Sequence, residues 1–325
     1  STALTIAPAS AEFRIAAGTY LAPADGTFPL TDRQRLLGGY PAGGGTRDIA
    51  LHRTVLSGAV GATIHQYILT PATGVGLDSN TLIEGLVFRD GGKAIALQNA
   101  SPAIRSCRFE DLPSSALVAT NSDSAITDCV FTGQRFSAIS ATGAGTLAIE
   151  RCVFTDNTTP FTAVANHNGG ALALDSGAAA LVSDSTFTAN QSRSGGAIHV
   201  GSEASLVVLR STFADNISSD RGAAISTSGN ATAIDIRDSL FVRNASGFGG
   251  ALDLYVPATL TNLTIAANTG RTAALSANAA IALRNSILWA NTATTATGQA
   301  AQFSAPNQST LAHNLIEGLT TLSGS

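Results

Sequence analysis

The chain has no methionine, one lysine (Lys93) and one tryptophan (Trp289) in 325 residues. Charged residues make up only 12% of it, and the formal net charge is −4. A sequence this poor in cations lacks the basic footprint of a nucleic-acid binder and carries too little charge for an electrostatic hold on a membrane surface. It has no run of about 18 consecutive apolar residues, so no transmembrane helix is expected. Aromatics are scarce at 6%. Three cysteines, Cys107, Cys129 and Cys152, are an odd number and cannot all pair within the chain. The first residue is Ser1 rather than methionine, as expected of a mature protein after signal-peptide removal.

What is present is a hydrophobic content of 44%, far above that of disordered chains, with Gly, Ala, Ser and Thr in abundance. Small residues suit narrow cores and tight turns. The apolar residues recur in ladders. Phe88, Phe109, Phe131, Phe154, Phe187, Phe213 and Phe241 align, followed by Ile265 and Leu288, at intervals of 21, 22, 23, 33, 26, 28, 24 and 23. A second ladder, an Ala followed by Ile or Leu, trails the first: Ala94-Ile95, Ala116-Leu117, Ala138-Ile139, Ala171-Leu172, Ala197-Ile198, Ala224-Ile225, Ala251-Leu252 and Ala274-Leu275. Two ladders that move together, at intervals that stretch but hardly shrink, indicate stacked coils with variable loops. A coil of about 22 residues holds three short strands and three corners. The spaced leucines of a leucine-rich repeat are missing. The expected fold is therefore all-β, a right-handed parallel β-helix of about 11–12 coils. At about 4.8 Å a rung the rod is about 50–60 Å tall.

In such a stack each residue lies above its counterpart one coil earlier, so inward positions form columns of like side chains. Cys107, Cys129 and Cys152 make one column, continued by Ser185, Ser211 and Ser239. They read as free, buried, small fillers, because parallel Cβ vectors on neighbouring rungs are poorly placed for a disulfide. Asn157, Asn190, Asn216, Asn244, Asn268 and Asn291 lie three residues after the aromatic column. Asparagine suits turns, and stacked amides can bond one another along the axis. The N-x-Ser/Thr matches at Asn190, Asn216 and Asn244 read as by-products of that turn.

A single β-helix domain is expected over residues 1–325, with irregular N-terminal coils at 1–80, regular coils at 81–292 and a C-terminal coil or loop at 293–325. Gly43–Gly45 reads as a loop, since it lacks the lysine and following helix of a phosphate cradle. The interval of 33 places an insertion at Thr158–Asn168, and a second loose stretch runs Thr292–Ser309. Neither end shows an amphipathic cap, and open end rungs offer edges for end-to-end self-association into an oligomer or filament.

FTDN…GGAL, FTAN…GGAI, FADN…GAAI and FVRN…GGAL, within 154–252, resemble the FxxN and GGA[ILV] repeats of chlamydial polymorphic outer membrane proteins. AAGTY at 16–20, LLGGY at 36–40, TVLSG at 54–58 and NSILWAN at 285–291 are similar to a wider set of bacterial secreted β-helix proteins. The resemblance covers most of the chain and implies a pectate-lyase-like solenoid, displayed at the cell surface, with adhesive or structural roles. Polymorphic outer membrane proteins continue into a C-terminal barrel, and the secreted relatives run on past the NLIEGL-like stretch at Asn314–Leu319. No counterpart of either follows here.

Many β-helix proteins cleave polysaccharides. The resemblance to galacturonan hydrolases implies clustered Asp with GHG and RIK motifs, and none of these occurs. Asp128, Asp184 and Asp238 precede the Cys/Ser column, while Asp111, Asp156 and Asp215 follow the Phe column; both sets fit turn chemistry. One outward column is more provocative. If Ile198 points inward, His199, Ser226 and Asp253 sit outward on successive rungs, because residues alternate faces in a strand. Their composition is that of a catalytic triad, but a triad is recognised by geometry, and the plain reading is solvent-facing polar residues. His167, in the insertion, and Trp289, at the end of the ladder, complete the candidate binding residues. No metal-ligand spacing and no cofactor motif is present. The expected function is a non-catalytic extracellular bacterial surface or matrix protein, adhesin-like or structural, meeting a host surface or glycan. The alternatives are a polysaccharide lyase or hydrolase and a glycan-binding module.

Overall fold

The computed structural model describes residues 10–23, 27–60, 63–64, 66–72, 75–160 and 168–319. Over these residues the chain winds through three long parallel sheets. Sheet 1 has twelve strands, from Glu12–Ala16 to Thr310–Ala312, and sheet 2 has twelve, from Gly18–Leu21 to Leu315–Ile316. Sheet 3 has eleven, from Phe28–Leu30 to Phe303–Ser304. Each coil visits the three sheets in turn and lays every strand parallel to its counterpart one coil earlier. This is a parallel β-helix. Two coils, 12–30 and 35–71, precede the regular ladder, and the stretch after Thr310 forms a last coil. An antiparallel pair, Ala59–Val60 with Thr63–Ile64, stands apart from the stack.

The core is the set of predicted columns. The seven phenylalanines lie on the inner face of sheet 2 and are fully buried. Their rings stack with centroids 4.5 to 5.1 Å apart and planes within 2 to 7° of parallel. Ile265 and Leu288 continue the column in register. The Ile/Leu ladder fills the inner face of sheet 3, also fully buried. Burying each such side chain contributes ~1.5–3 kcal/mol, and the stacking repeats that gain rung after rung.

The polar columns are satisfied from within. All three cysteines are free and buried. Cys129 Sγ lies 3.3 Å from the Thr127 carbonyl, and the serines repeat that contact: Ser185 Oγ donates to Ser183 O at 2.8 Å. Each also accepts from the rung before, as Ser211 Oγ does from Ser185 N–H at 3.2 Å. In the asparagine ladder each amide nitrogen donates to the next rung's oxygen: Asn157 to Asn190 (2.8 Å), Asn190 to Asn216 (3.0 Å), Asn216 to Asn244 (2.9 Å) and Asn244 to Asn268 (2.9 Å). The same nitrogen donates back to a phenylalanine carbonyl, as Asn190 does to Phe154 at 3.0 Å. Asn190, Asn216 and Asn244 are therefore buried and unavailable as glycosylation acceptors. Glutamine extends the ladder at both ends. Gln134 N–H donates to Asn157 Oδ1 at 3.2 Å, and Gln302 Oε1 accepts from Asn291 at 2.6 Å. Gln302 Nε2 in turn donates to Glu317 Oε2 at 3.1 Å.

The acids at the corners occupy left-handed turns. Asp128, Asp184 and Asp238 have φ of 56, 51 and 53°, and Asp111, Asp156 and Asp215 have φ of 50, 56 and 57°. Aspartate tolerates that conformation better than most residues. Several of them also pair with an arginine one coil later: Arg151 with Asp128 (2.8 Å), Arg210 with Asp184 (2.7 Å) and Arg243 with Asp215 (2.8 Å). These arginines hold the partner carboxyls below their ordinary range. The pairs are exposed and contribute little to stability.

A short fourth sheet was not foreseen. Its strands, Gln191–Ser194, Ile217–Arg221, Ala245–Ser246, Thr269–Gly270 and Thr292–Ala293, follow the asparagine column and raise a wall beside the outer face of sheet 3. The loose stretch Thr292–Ser309 holds the last of these strands, a helical turn at Gln299–Gln302 and the final sheet 3 strand. No helix among the described residues is long and apolar enough to cross a membrane.

Candidate functional site

The outer face of sheet 3 carries the polar groups that stacking does not absorb. Ile198, Ile225 and Leu252 point inward and are fully buried. His199, Ser226, Asp253 and Ser276 therefore point outward, paired in that order on consecutive rungs. With His199 and Ser276 half-buried, the expectation that these side chains face open solvent is corrected for the other two, Ser226 being 2% exposed and Asp253 3%. Backbone presses on them from the first glycine of each GGA-type turn. A Cβ on Gly222 would lie 2.9 Å from Ser226 Cβ, and one on Gly249 would lie 3.2 Å from Asp253 Cβ.

His199 Nδ1 lies 2.8 Å from Ser226 Oγ, and its Nε2 lies 3.5 Å from the Asn168 amide nitrogen. Burial pulls the imidazole pKa down to about 4, so the ring is neutral at pH 7. Burial likewise raises Asp253 to about 6, with Arg221 partly offsetting the effect. The order along the column is His, Ser, Asp. Asp253 flanks the serine and lies two rungs, about 9.6 Å, from the histidine it would have to orient. The Ser226 hydroxyl is also closed off from an incoming substrate by its burial.

The same face is open over the preceding coils. Two cavities of about 700 and 480 Å³ meet at Val118. Tyr67, Thr70, Gln98, Asn99 and Thr120 line the first. Lys93, Ser137, Ser140, Thr142, Asp175 and His199 line the second. The strands beneath run from Tyr67–Pro71 to Ile198–Val200, six rungs and about 24 Å. The polar side chains of the lining are mostly hydroxyls and amides, interleaved with apolar residues such as Val75, Leu97 and Val118. Its cation, Lys93, already lies 5.1 Å over the Tyr67 ring and 3.4 Å from the Tyr67 hydroxyl.

The other candidates fall elsewhere. Trp289 is 47% exposed on the outer face of sheet 2, away from the His199 column. His167 lies outside the described residues. Sequence reasoning missed the groove and the Arg221 contact with Asp253 described below.

Comparison with solved structures finds the surface adhesin PfbA of Streptococcus pneumoniae in two structures. One is 11% identical over 86% of this chain and 79% of that one, with a TM-score of 0.33. The second is 10% identical over 94% and 88%, with a TM-score of 0.38. No curated protein matches the chain. Residues 64–216 match the family model described as right handed beta helix region, the architecture that the strand pairing draws along the chain.

Proposed function

We propose that this chain is a non-catalytic extracellular protein of the bacterial surface or matrix, adhesin-like, that holds a linear, uncharged glycan along the outer face of sheet 3. The observation that carries this reading is the groove from Tyr67 to His199, six rungs long, whose polar side chains are mainly hydroxyls and amides set among apolar residues such as Leu97 and Val118. Such groups match sugar hydroxyls, which both donate and accept. Glycoside cleavage needs two carboxyl groups flanking one bond. Among the described residues Asp175 is the one carboxylate lining the groove, which supports binding rather than turnover.

The test is retention of the purified protein on immobilised linear oligosaccharides, with assay for new reducing ends. Retention without cleavage is expected. Ser140→Trp, which fills the groove floor, should abolish it. Retention that survives the filled groove, or steady release of reducing ends, would sink the reading.

A further inference from the structure

Beyond His199 the outer face of sheet 3 continues under the wall of sheet 4. Arg221 ends the strand Ile217–Arg221 and reaches across this face. Its guanidinium carbon lies 4.9 Å from the Tyr255 ring centroid and 5.3 Å from that of Phe248. At a partly exposed site such cation–π contacts are weak, so the group can move away. Beneath it lies Asp253, 3% exposed, whose Oδ2 has no hydrogen-bond partner. Arg221 Nη1 is 3.7 Å from that oxygen, and Arg221 Nε is 3.8 Å from Asp220 Oδ1. Both distances exceed a hydrogen bond. A buried oxygen without a hydrogen bond and a fork of donors at ion-pair distance thus sit side by side.

The chemistry of a group that could bridge the two follows. An ammonium group would satisfy Asp253 but meet Arg221 and also Arg271, whose guanidinium carbon lies 5.3 Å from Phe248. A carboxylate or phosphate would satisfy Arg221 but meet Asp253 and Asp220. A hydroxyl is neutral and does both jobs, donating to one neighbour and accepting from the other.

We propose that Asp253 and Arg221 form a second binding site that takes one sugar ring by two adjacent hydroxyls, one donating to Asp253 Oδ2 and the other accepting from Arg221. The Arg221 side chain, 37% exposed, is the cover that swings aside to admit the ring. This site deepens the glycan reading above, on which it rests, and adds a monosaccharide specificity four rungs beyond Ser140.

The experiment is saturation-transfer NMR with methyl hexopyranosides carrying adjacent free hydroxyls, against deoxy counterparts that lack one of the pair. Wild-type protein should transfer saturation to the intact glycosides and not to the deoxy forms. Asp253→Asn, close to isosteric and checked for folding by thermal melting, should lose the transfer. Thr188→Ala, on another sheet, should keep it. Two results overturn the proposal: no transfer in either wild type or Arg221→Ala, or transfer that Asp253→Asn leaves unchanged. The first means that the gap holds ordered water only. Loss of oligosaccharide retention with the monosaccharide response intact would count against the groove alone.

Discussion

The outer faces of sheets 2 and 3 are built on the same coils and have diverged. On sheet 2 the outward positions through the middle of the rod are Val130, Thr132, Val153, Thr155, Thr186, Thr188, Thr212 and Ala214, all uncharged and mostly β-branched. On sheet 3 the outward column reads Val118, Ser140, Ala173, His199, Ser226, Asp253 and Ser276 and changes at almost every rung. Behind both faces the inner columns are equally constant. The difference lies in the connections. From the strand Ala103–Arg105 onward, two residues join each sheet 1 strand to the sheet 2 strand that follows, as Asp128 and Cys129 do. The link from the ladder amide to the sheet 3 alanine runs from four residues (Gln134 to Ala138) to fourteen (Asn157 to Ala171). Only the face beside a connection of variable length acquires walls, and walls give a side chain an environment worth varying.

The sharpest way to break this comparison is from behind. Phe187→Ala opens the ring stack under the sheet 2 face and should cost about 4 kcal/mol by urea unfolding. A much smaller loss would mean that the regular face is not held flat by its core.

Next in size are the two titrating groups of sheet 3. Asp253 ionises near pH 6 in the folded chain against an ordinary 3.8, so its contribution to stability is lost as pH rises through 6. His199 ionises near 4 against an ordinary 6.5, so its contribution is lost as pH falls from 6.5 through 4. Between pH 4 and 6 the two slopes oppose each other. In Asp253→Asn, stability should fall on acidification from pH 6 to pH 4.5, by at most about 1.4 kcal/mol per pH unit. In His199→Gln it should instead rise. Unfolding midpoints at both pH values decide, and parallel behaviour of the two variants would remove the assigned shifts. The smallest effect belongs to the open face. Thr188→Ala should change stability by no more than about 0.5 kcal/mol, and a larger loss would show that sheet 2 is not a free surface.

Much of the fold was legible because stacking makes the chain repeat itself. Phe on Phe and Asn on Asn can be read at a distance even when the intervals vary. The ladder's glutamines were harder. Gln134 keeps the spacing of three from Phe131 but changes residue type, and Gln302 arrives from a helical turn at no fixed interval. The first two coils were only loosely legible, because their strands begin with exposed mixed residues such as Glu12–Ala16. The outward direction of His199, Ser226 and Asp253 followed from alternation. Their burial did not, since it depends on sheet 4, whose strands lie inside connections of irregular length. The groove was invisible for the same reason: its walls, such as Ala72, Val75 and Gly76, are set by how loops fold back rather than by any repeat.

The asparagine ladder also gives the rod a direction in time. Each amide hands one proton back to a finished coil and one forward to a coil that has not yet been made. A chain that folds coil by coil from its N-terminal end therefore always presents an unfinished template at its growing tip, and the next coil is the group that completes it. Glu317, accepting from Gln302, is the full stop of that sentence: it takes the last forward proton with a carboxylate and passes none on. A product halted at any earlier coil would keep an open donor at its tip, competent to recruit a neighbouring chain in place of its own missing residues.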